Sequence, residues 1–492
     1  MTADQQPKII DGAEQEVLVR RNLARSRVIV LIAFMANAGL NLILLGILTR
    51  LGGLELVGDW SFLNAILLFV LLADFGITNA LTYQIGLEGI KAAAPKLRTL
   101  LLVLTVVAML FMVAAIFADR INAAWGLPLC LTVLAGVAQL ASNWLIAIRM
   151  GQHEQYWFNV KTVLRVVVQT GAALGLYFAM PAQSKLAFSG ALLLGAIAEI
   201  LLAQWMIRKH FRLRGPLSPM IHIVIMTKGF GVLALVQRAL DPLSRLLISV
   251  IAGPTTLGVF TVAQRIPAVI NQSISAALRG LLPGLSQMQG DIDRERVIQL
   301  LCDAVFGQIV MVGMPMLAIA IHAGSLFEFW LGHSSLELEI SLRALLIGTF
   351  IMGITTPLYW TAQAFGNTKQ LAHLTLIRVV ITLFLGSTLL IIWQNVVLFS
   401  IIYSLSQASI GIIAFRLANR HDVLASKVFS HLPLLHIIAF LSITVFLNLF
   451  LASSLEEVSP SLSLLVVGFV NTIALWAISM HLTKSPHKSK CD

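Results

Sequence analysis

The sequence predicts an all-α polytopic membrane protein of about fourteen transmembrane helices. These are expected as two six-helix lobes in parallel repeat plus two extra C-terminal helices, with both termini cytoplasmic. Three observations predict this: the composition, a recurring apolar run, and the placement of basic residues. Of 492 residues, 58% are hydrophobic and only 12% are charged, more apolar surface than a soluble core uses. Runs of roughly 20 residues, enough to cross a hydrocarbon core, recur at about 28–48, 61–83, 99–118, 128–148, 162–180, 187–207, 229–251, 258–280, 299–321, 339–362, 371–392, 396–416, 432–452 and 462–482. Of the 34 Lys and Arg, 24 fall in the tails and loops of one side, Lys161 among them, and three (Arg50, Arg120 and Lys185) fall on the other. Cytoplasmic loops carry such an excess, which places both termini inside.

The elements follow in order: a cytoplasmic tail (1–27), an N-lobe of six spans (28–207) and a basic cytoplasmic linker (208–228). A C-lobe of six spans (229–416), spans 13 and 14 with their loops (417–482) and a cytoplasmic tail (483–492) complete the chain. No small-residue cleavage site follows the first apolar run, so the first helix is expected to be retained. The external loop near 322–338 carries Phe327, Phe329 and Trp330, suited to a helix lying at the membrane surface. A net charge of +11 would suit nucleic acid, but the basic residues sit in short clusters between apolar spans, so no nucleic-acid partner is expected. Cys130, Cys302 and Cys491 form no disulfide framework or metal spacing.

The second half echoes the first. Gly53-x-x-x-Val57-Gly58-x-Trp60-Ser61 precedes the second span, and Gly253-x-x-x-Leu257-Gly258-x-Phe260-Thr261 precedes the eighth, 200 residues later. Leu164-Arg165-Val166-Val167-Val168 in the fifth span matches Ile377-Arg378-Val379-Val380-Ile381 in the eleventh. Repeated lobes are a transporter signature.

Seven arginines lie in or at the margins of spans: 165, 238, 245, 265, 279, 343 and 378. An ionised guanidinium in a bilayer is costly and generally faces protein or a wet cavity, and its planar fork matches phosphate. The seventh span reads Gln237-Arg238-Ala239-Leu240-Asp241-Pro242-Leu243-Ser244-Arg245, with both arginines on roughly the face of Asp241. This is either a charged cavity face whose carboxylate couples to an ion, or a structural ion pair beside a proline kink. Arg265 is read as a substrate-phosphate contact in preference to a structural role, with tertiary pairing to Asp241 left open. Arg165, Arg279 and Arg378 lie within about two turns of the inner face, where snorkelling and cavity lining are both open. Arg343, near the outer end of its span, is expected to snorkel. Asp74 could be a proton site or could anchor a neighbouring helix by hydrogen bonding. No Gly-rich phosphate loop with its Lys and Ser/Thr is present, so no nucleotide hydrolysis is expected, and the chain is not expected to be an enzyme.

Five short motifs carry a family resemblance: Asp74-Phe75-Gly76; the run from Gly258 to Ile266 that includes Gln264-Arg265; Leu282-Pro283-Gly284-Leu285-Ser286 with Asp291; Trp330-Leu331-Gly332; and Ala364-Phe365-Gly366-Asn367-Thr368-Lys369. Through them the chain resembles Wzx-type polysaccharide flippases, in the superfamily that includes MurJ-like lipid II flippases and MATE antiporters. Phe260 stands where a tyrosine is common in that family. The resemblance implies a multi-pass protein of the bacterial inner membrane, with a V-shaped pair of lobes around a cationic cavity. It also implies flipping of an undecaprenyl-diphosphate-linked oligosaccharide to the outer leaflet for surface polysaccharide synthesis. Arg265 matches an arginine in the eighth helix of lipid II flippases. Arg265, Arg238, Arg245, Arg165, Arg378 and Arg279 are the expected phosphate-binding residues. Asp241 and Asp74 are the expected coupling residues, with a proton or sodium as the ion and no other cofactor or metal. Membrane lipids, a polysaccharide polymerase and a chain-length regulator are the expected partners. The competing reading is a MATE-like cation-coupled antiporter of drugs or metabolites.

Overall fold

The computed structural model describes residues 12–121, 125–152, 154, 156–208, 216–219, 221–222, 227, 231–277, 294–364, 368–419, 428 and 448. Spans 13 and 14, most of the basic linker, Arg279 and the motif around Pro283 lie outside the described residues. Within them the regular structure is helical: α1 (Gly12–Leu71), α2 (Ile77–Glu88), α3 (Ile90–Ile121), α4 (Gly126–Gly151), α5 (Tyr156–Ala179), α6 (Ser184–Ile207), α7 (Gly231–Ala277), α8 (Arg294–Ile321), α9 (Ala323–Leu331), α10 (Leu336–Ala364), α11 (Thr368–Trp393) and α12 (Val396–Asn419). Ten stretches among these are long and apolar enough to cross a membrane. Two features depart from the expected boundaries. The first and second spans, like the seventh and eighth, belong to helices interrupted only at Gly52–Gly53 and at Gly253. The second span is itself broken, by a 3-10 turn at Leu72–Asp74.

The chain forms two compact units, one from the described residues of Met1–Leu44 and Leu63–Pro242, the other from those of Leu45–Phe62 and Leu243–Asp492. In the first unit α4 packs against α2, α3 and α6, and α5 packs on α6. Leu81, Leu97, Leu140, Ile146 and Ala203 fill the core between them. On α3, Leu102, Val106, Met109 and Leu110 are exposed. On a membrane-spanning helix, an apolar face that no protein covers suits contact with acyl chains.

In the second unit α12 packs against α10 and α11, and α8 packs on α10. The α10–α12 contact is close because small residues line it. A Cβ at Gly348 would press on Ser404, one at Gly411 would press on Thr355, and Ser404 Oγ donates to the Ala344 carbonyl at 2.5 Å. The amphipathic α9 buries Ala323, Phe327 and Leu331 and exposes Phe329. It ends at Gly332, whose φ of 85° is a left-handed stop that glycine adopts without strain.

The sequence repeat has a physical meaning in this unit. Gly53 (φ 71°, ψ −168°) and Gly253 (φ 84°, ψ 178°) adopt nearly the same non-helical conformation. Just beyond them α1 and α7 cross at backbone contact. A Cβ at Gly58 would overlap the Pro254 carbonyl oxygen, and one at Gly258 would overlap that of Leu54. Ser61 and Thr261 share a hydrogen bond of 2.6 Å, buried beside the crossing. Residues 200 apart therefore meet each other across a local two-fold.

Candidate functional site

Asp74 lies where the second span breaks. Phe75 (φ 41°) and Gly76 (φ 72°) turn the chain through left-handed conformations before α2 begins. The buried Asp74 Oδ1 accepts from the Thr78 amide (3.2 Å), Thr78 Oγ1 (2.6 Å) and Trp144 Nε1 (2.8 Å). Its Oδ2 faces Arg238 Nη1 at 4.0 Å. Of the two readings open for Asp74, the geometry supplies what the helix anchor requires: one oxygen starts α2 and ties it to α4. The Asp-Phe-Gly run is thus an N-terminal cap joined to a turn. Arg238 is the outer member of the Asp74 contact, with its side chain 62% exposed.

A second cluster, which sequence reasoning missed, joins α4, α5 and α6. Lys161, placed by its sequence position in a cytoplasmic loop, is instead the sixth residue of α5 and is completely buried. Its ammonium donates to Glu199 Oε1 (2.5 Å), Asn143 Oδ1 (2.7 Å) and Ser142 Oγ (3.3 Å). One turn deeper, Arg165 Nε approaches Glu199 Oε2 at 3.4 Å, and its Nη1 donates to Gln169 Oε1 at 3.2 Å. Gly195 lets α5 and α6 approach here, since a Cβ would press on the Arg165 carbonyl and on Gln169. The available signal was the Lys161–Arg165 spacing of four, which puts both cations on one helical face. The predicted span began after Lys161, so the pair was divided.

In the second unit Arg245 Nη2 donates to Gln264 Oε1 (3.1 Å), and Gln264 Nε2 donates to Tyr403 Oη (2.9 Å). Tyr403 is held edge-on to Phe260, whose ring also meets Phe399 edge-on. The Gln-Arg pair of the Gly258–Ile266 motif therefore places Gln264 as the support for Arg245, with Arg265 half-buried beside it. Arg378 is buried and donates to the Ser406 carbonyl of α12 at 3.3 Å. Like its repeat partner Arg165, it engages the following helix. Arg343 pairs with Glu339 (3.1 Å) and donates to the Ala320 carbonyl (2.9 Å). Asp241 is half-buried in α7, which stays helical through Pro242. Among the described residues no three His, Cys, Asp or Glu side chains form a metal site.

A polytopic, all-helical architecture with an internal repeat and charged side chains held inside its helices defines a membrane transporter fold. The chain belongs to the polysaccharide biosynthesis protein family, whose model matches residues 23–289. Its fold is that of the MOP superfamily. It is similar to the lipid II flippase MurJ in an inward closed conformation, with a TM-score of 0.69 at 13% identity over 95% of this chain and 100% of that one. An inward-facing multidrug resistance MATE transporter matches with a TM-score of 0.56 at 15% identity, over 82% of this chain and 99% of that one. A MOP superfamily transporter from Pyrococcus furiosus, described by a binding pocket of reverse polarity, matches with a TM-score of 0.56 at 14% identity over 82% and 96%. No curated protein matches the chain in sequence. This is a multi-pass membrane protein, which in a bacterium resides in the inner membrane.

Proposed function

We propose that this protein flips an undecaprenyl-diphosphate-linked oligosaccharide repeat unit from the cytoplasmic to the outer leaflet for surface polysaccharide synthesis. The observation that carries the reading, beside the family, is Arg238: a membrane-helix guanidinium 62% exposed, with a buried carboxylate 4.0 Å away. Such a group is stable only against water or an anion. A diphosphate is an anion that its fork fits. Within the second unit, Arg245 and Arg265 are guanidiniums of the same kind, both half-buried in α7. A polymerase and a chain-length regulator would act on the product.

Arg265 tests the reading. Lysine there keeps the charge and loses the fork, and alanine loses both. Export is expected to fall in the order wild type, Arg265→Lys, Arg265→Ala, with folded protein at normal abundance. Export of polymer measured beside membrane abundance checks this. Normal export by Arg265→Ala at normal abundance would remove the phosphate contact from the site.

Coupling to a proton or sodium gradient is assigned to Asp241. Asp241→Asn is expected to stop net transport without blocking membrane insertion. Asp74→Asn, which leaves an amide oxygen for Trp144 and Thr78, is expected to act on stability first. Normal transport by Asp241→Asn with failure of a well-folded Asp74→Asn would move the coupling role to Asp74.

The antiporter reading meets a chemical obstacle. An organic cation needs accessible carboxylates; Asp74 and Glu199 are already engaged by Thr78 and Trp144 and by Lys161 and Arg165, and Asp241 is flanked on its own helix face by Arg238 and Arg245.

A further inference from the structure

The Lys161–Arg165–Glu199 cluster holds two cations and one carboxylate, so one positive charge is left over. Geometry decides where it resides. The Lys161 side chain is fully enclosed and donates to three oxygens, one of them Glu199 Oε1. Arg165 is 21% exposed and meets Glu199 through the longer contact, 3.4 Å, to an Oε2 that accepts no hydrogen bond. Glu199 is thus neutralised by Lys161, and Arg165 is the cation that can turn away. The helical architecture does not demand the pair. Arg165 and Arg378 stand 213 residues apart, and at that same offset within the helix Lys161 corresponds to Leu374. Arg378 is held there by a backbone carbonyl alone among its hydrogen bonds described above. A buried lysine that is apolar in the other repeat is an addition to the fold, and burying its ion pair carries a desolvation cost that packing does not require.

We infer that Glu199 is an internal counter-anion for Arg165, displaced when the phosphate of the lipid substrate binds Arg165 and restored when the phosphate leaves. Lys161 keeps Glu199 compensated throughout the exchange. The arrangement rests on the lipid-diphosphate reading above and adds a regulating element to it. Two anions compete for one guanidinium, so the site holds the substrate less tightly and releases it faster. The cluster lies near the start of α5, about 10 Å from its cytoplasmic end, within reach of a head group entering from that side. Glu199 and Lys161 are positioning residues here, and Arg165 is the contact.

The experiment uses the full-length protein in lipid nanodiscs and farnesyl diphosphate as the probe. The variant Lys161→Met with Glu199→Gln removes the competitor together with the enclosed ammonium and leaves Arg165 bonded to Gln169. It is expected to bind the probe roughly tenfold more tightly, the equivalent of one charge-assisted hydrogen bond no longer contested, while exporting polymer more slowly. Adding Arg165→Gln should cancel the gain. Glu199→Asp, which keeps Lys161 paired and retracts the carboxylate from Arg165, should gain about threefold and serves if the double variant does not fold. Unchanged affinity in a folded variant, or a gain that survives Arg165→Gln, would overturn the inference. Should these variants bind like wild type while Arg265→Ala binds weakly, only the counter-anion role falls. Should the wild type bind no probe, the diphosphate reading falls with it.

Discussion

Valine at Gly58 or Gly258 is expected to abolish export and to lower the thermal-unfolding midpoint of the purified protein sharply. At each position a Cβ would occupy the volume of a carbonyl oxygen of the opposing helix, Pro254 in one case and Leu54 in the other. Overpacking against side chains costs about 1–3 kcal/mol, and those chains can rotate away. A carbonyl inside a helix cannot, because it is fixed by its own hydrogen bond. The helices must therefore separate, which also parts Ser61 from Thr261. Gly39→Ala and Gly171→Ala are the controls. Nothing lies within 4 Å of a Cβ at either, and alanine in a helix interior gains up to about 1 kcal/mol over glycine. A wild-type midpoint for Gly58→Val would show that the crossing is loose.

Lys161→Met should be the most damaging single change in the first unit. It removes the ammonium that holds Glu199 Oε1 and leaves Asn143 and Ser142 facing a carboxylate whose remaining cation is the looser Arg165. Breaking a buried pair from one side costs about 3–5 kcal/mol, because the other charge stays buried. Adding Glu199→Gln should restore most of the lost midpoint, since the glutamine needs no counter-charge. Denaturation midpoints of the two single variants and the double form a thermodynamic cycle. Additive losses would mean that the two side chains do not act as a pair.

The two sets of variants address different properties of the fold. The glycine series concerns how the repeat is assembled, and the lysine series concerns what was inserted into one copy of it. Both are separable from transport through membrane abundance, because a chain that inserts and then fails to pack can still be counted. The arginine series at 265 concerns chemistry alone.

The helical membrane class, the repeat and the charged spans were legible in the sequence because each rests on a one-dimensional signal. A bilayer requires about 20 apolar residues per crossing, and the translocation of basic loops is costly. A duplicated segment keeps its spacing, as Gly53–Ser61 and Gly253–Thr261 do. What those motifs touch is a three-dimensional matter. That the two repeated segments meet each other, with Ser61 bonded to Thr261, could not follow from their likeness. The second span could be read as apolar, but the turn at Asp74 depends on Trp144, 70 residues on. Lys161 was misplaced for the same reason. A hydropathy window ends a span at a charge, whereas the folded chain continues the helix whenever a partner on another helix, here Glu199, takes that charge. Apolar content is additive along the chain, so sequence alone reports it. Compensation of a buried charge is pairwise across the chain, so only the tertiary structure decides it.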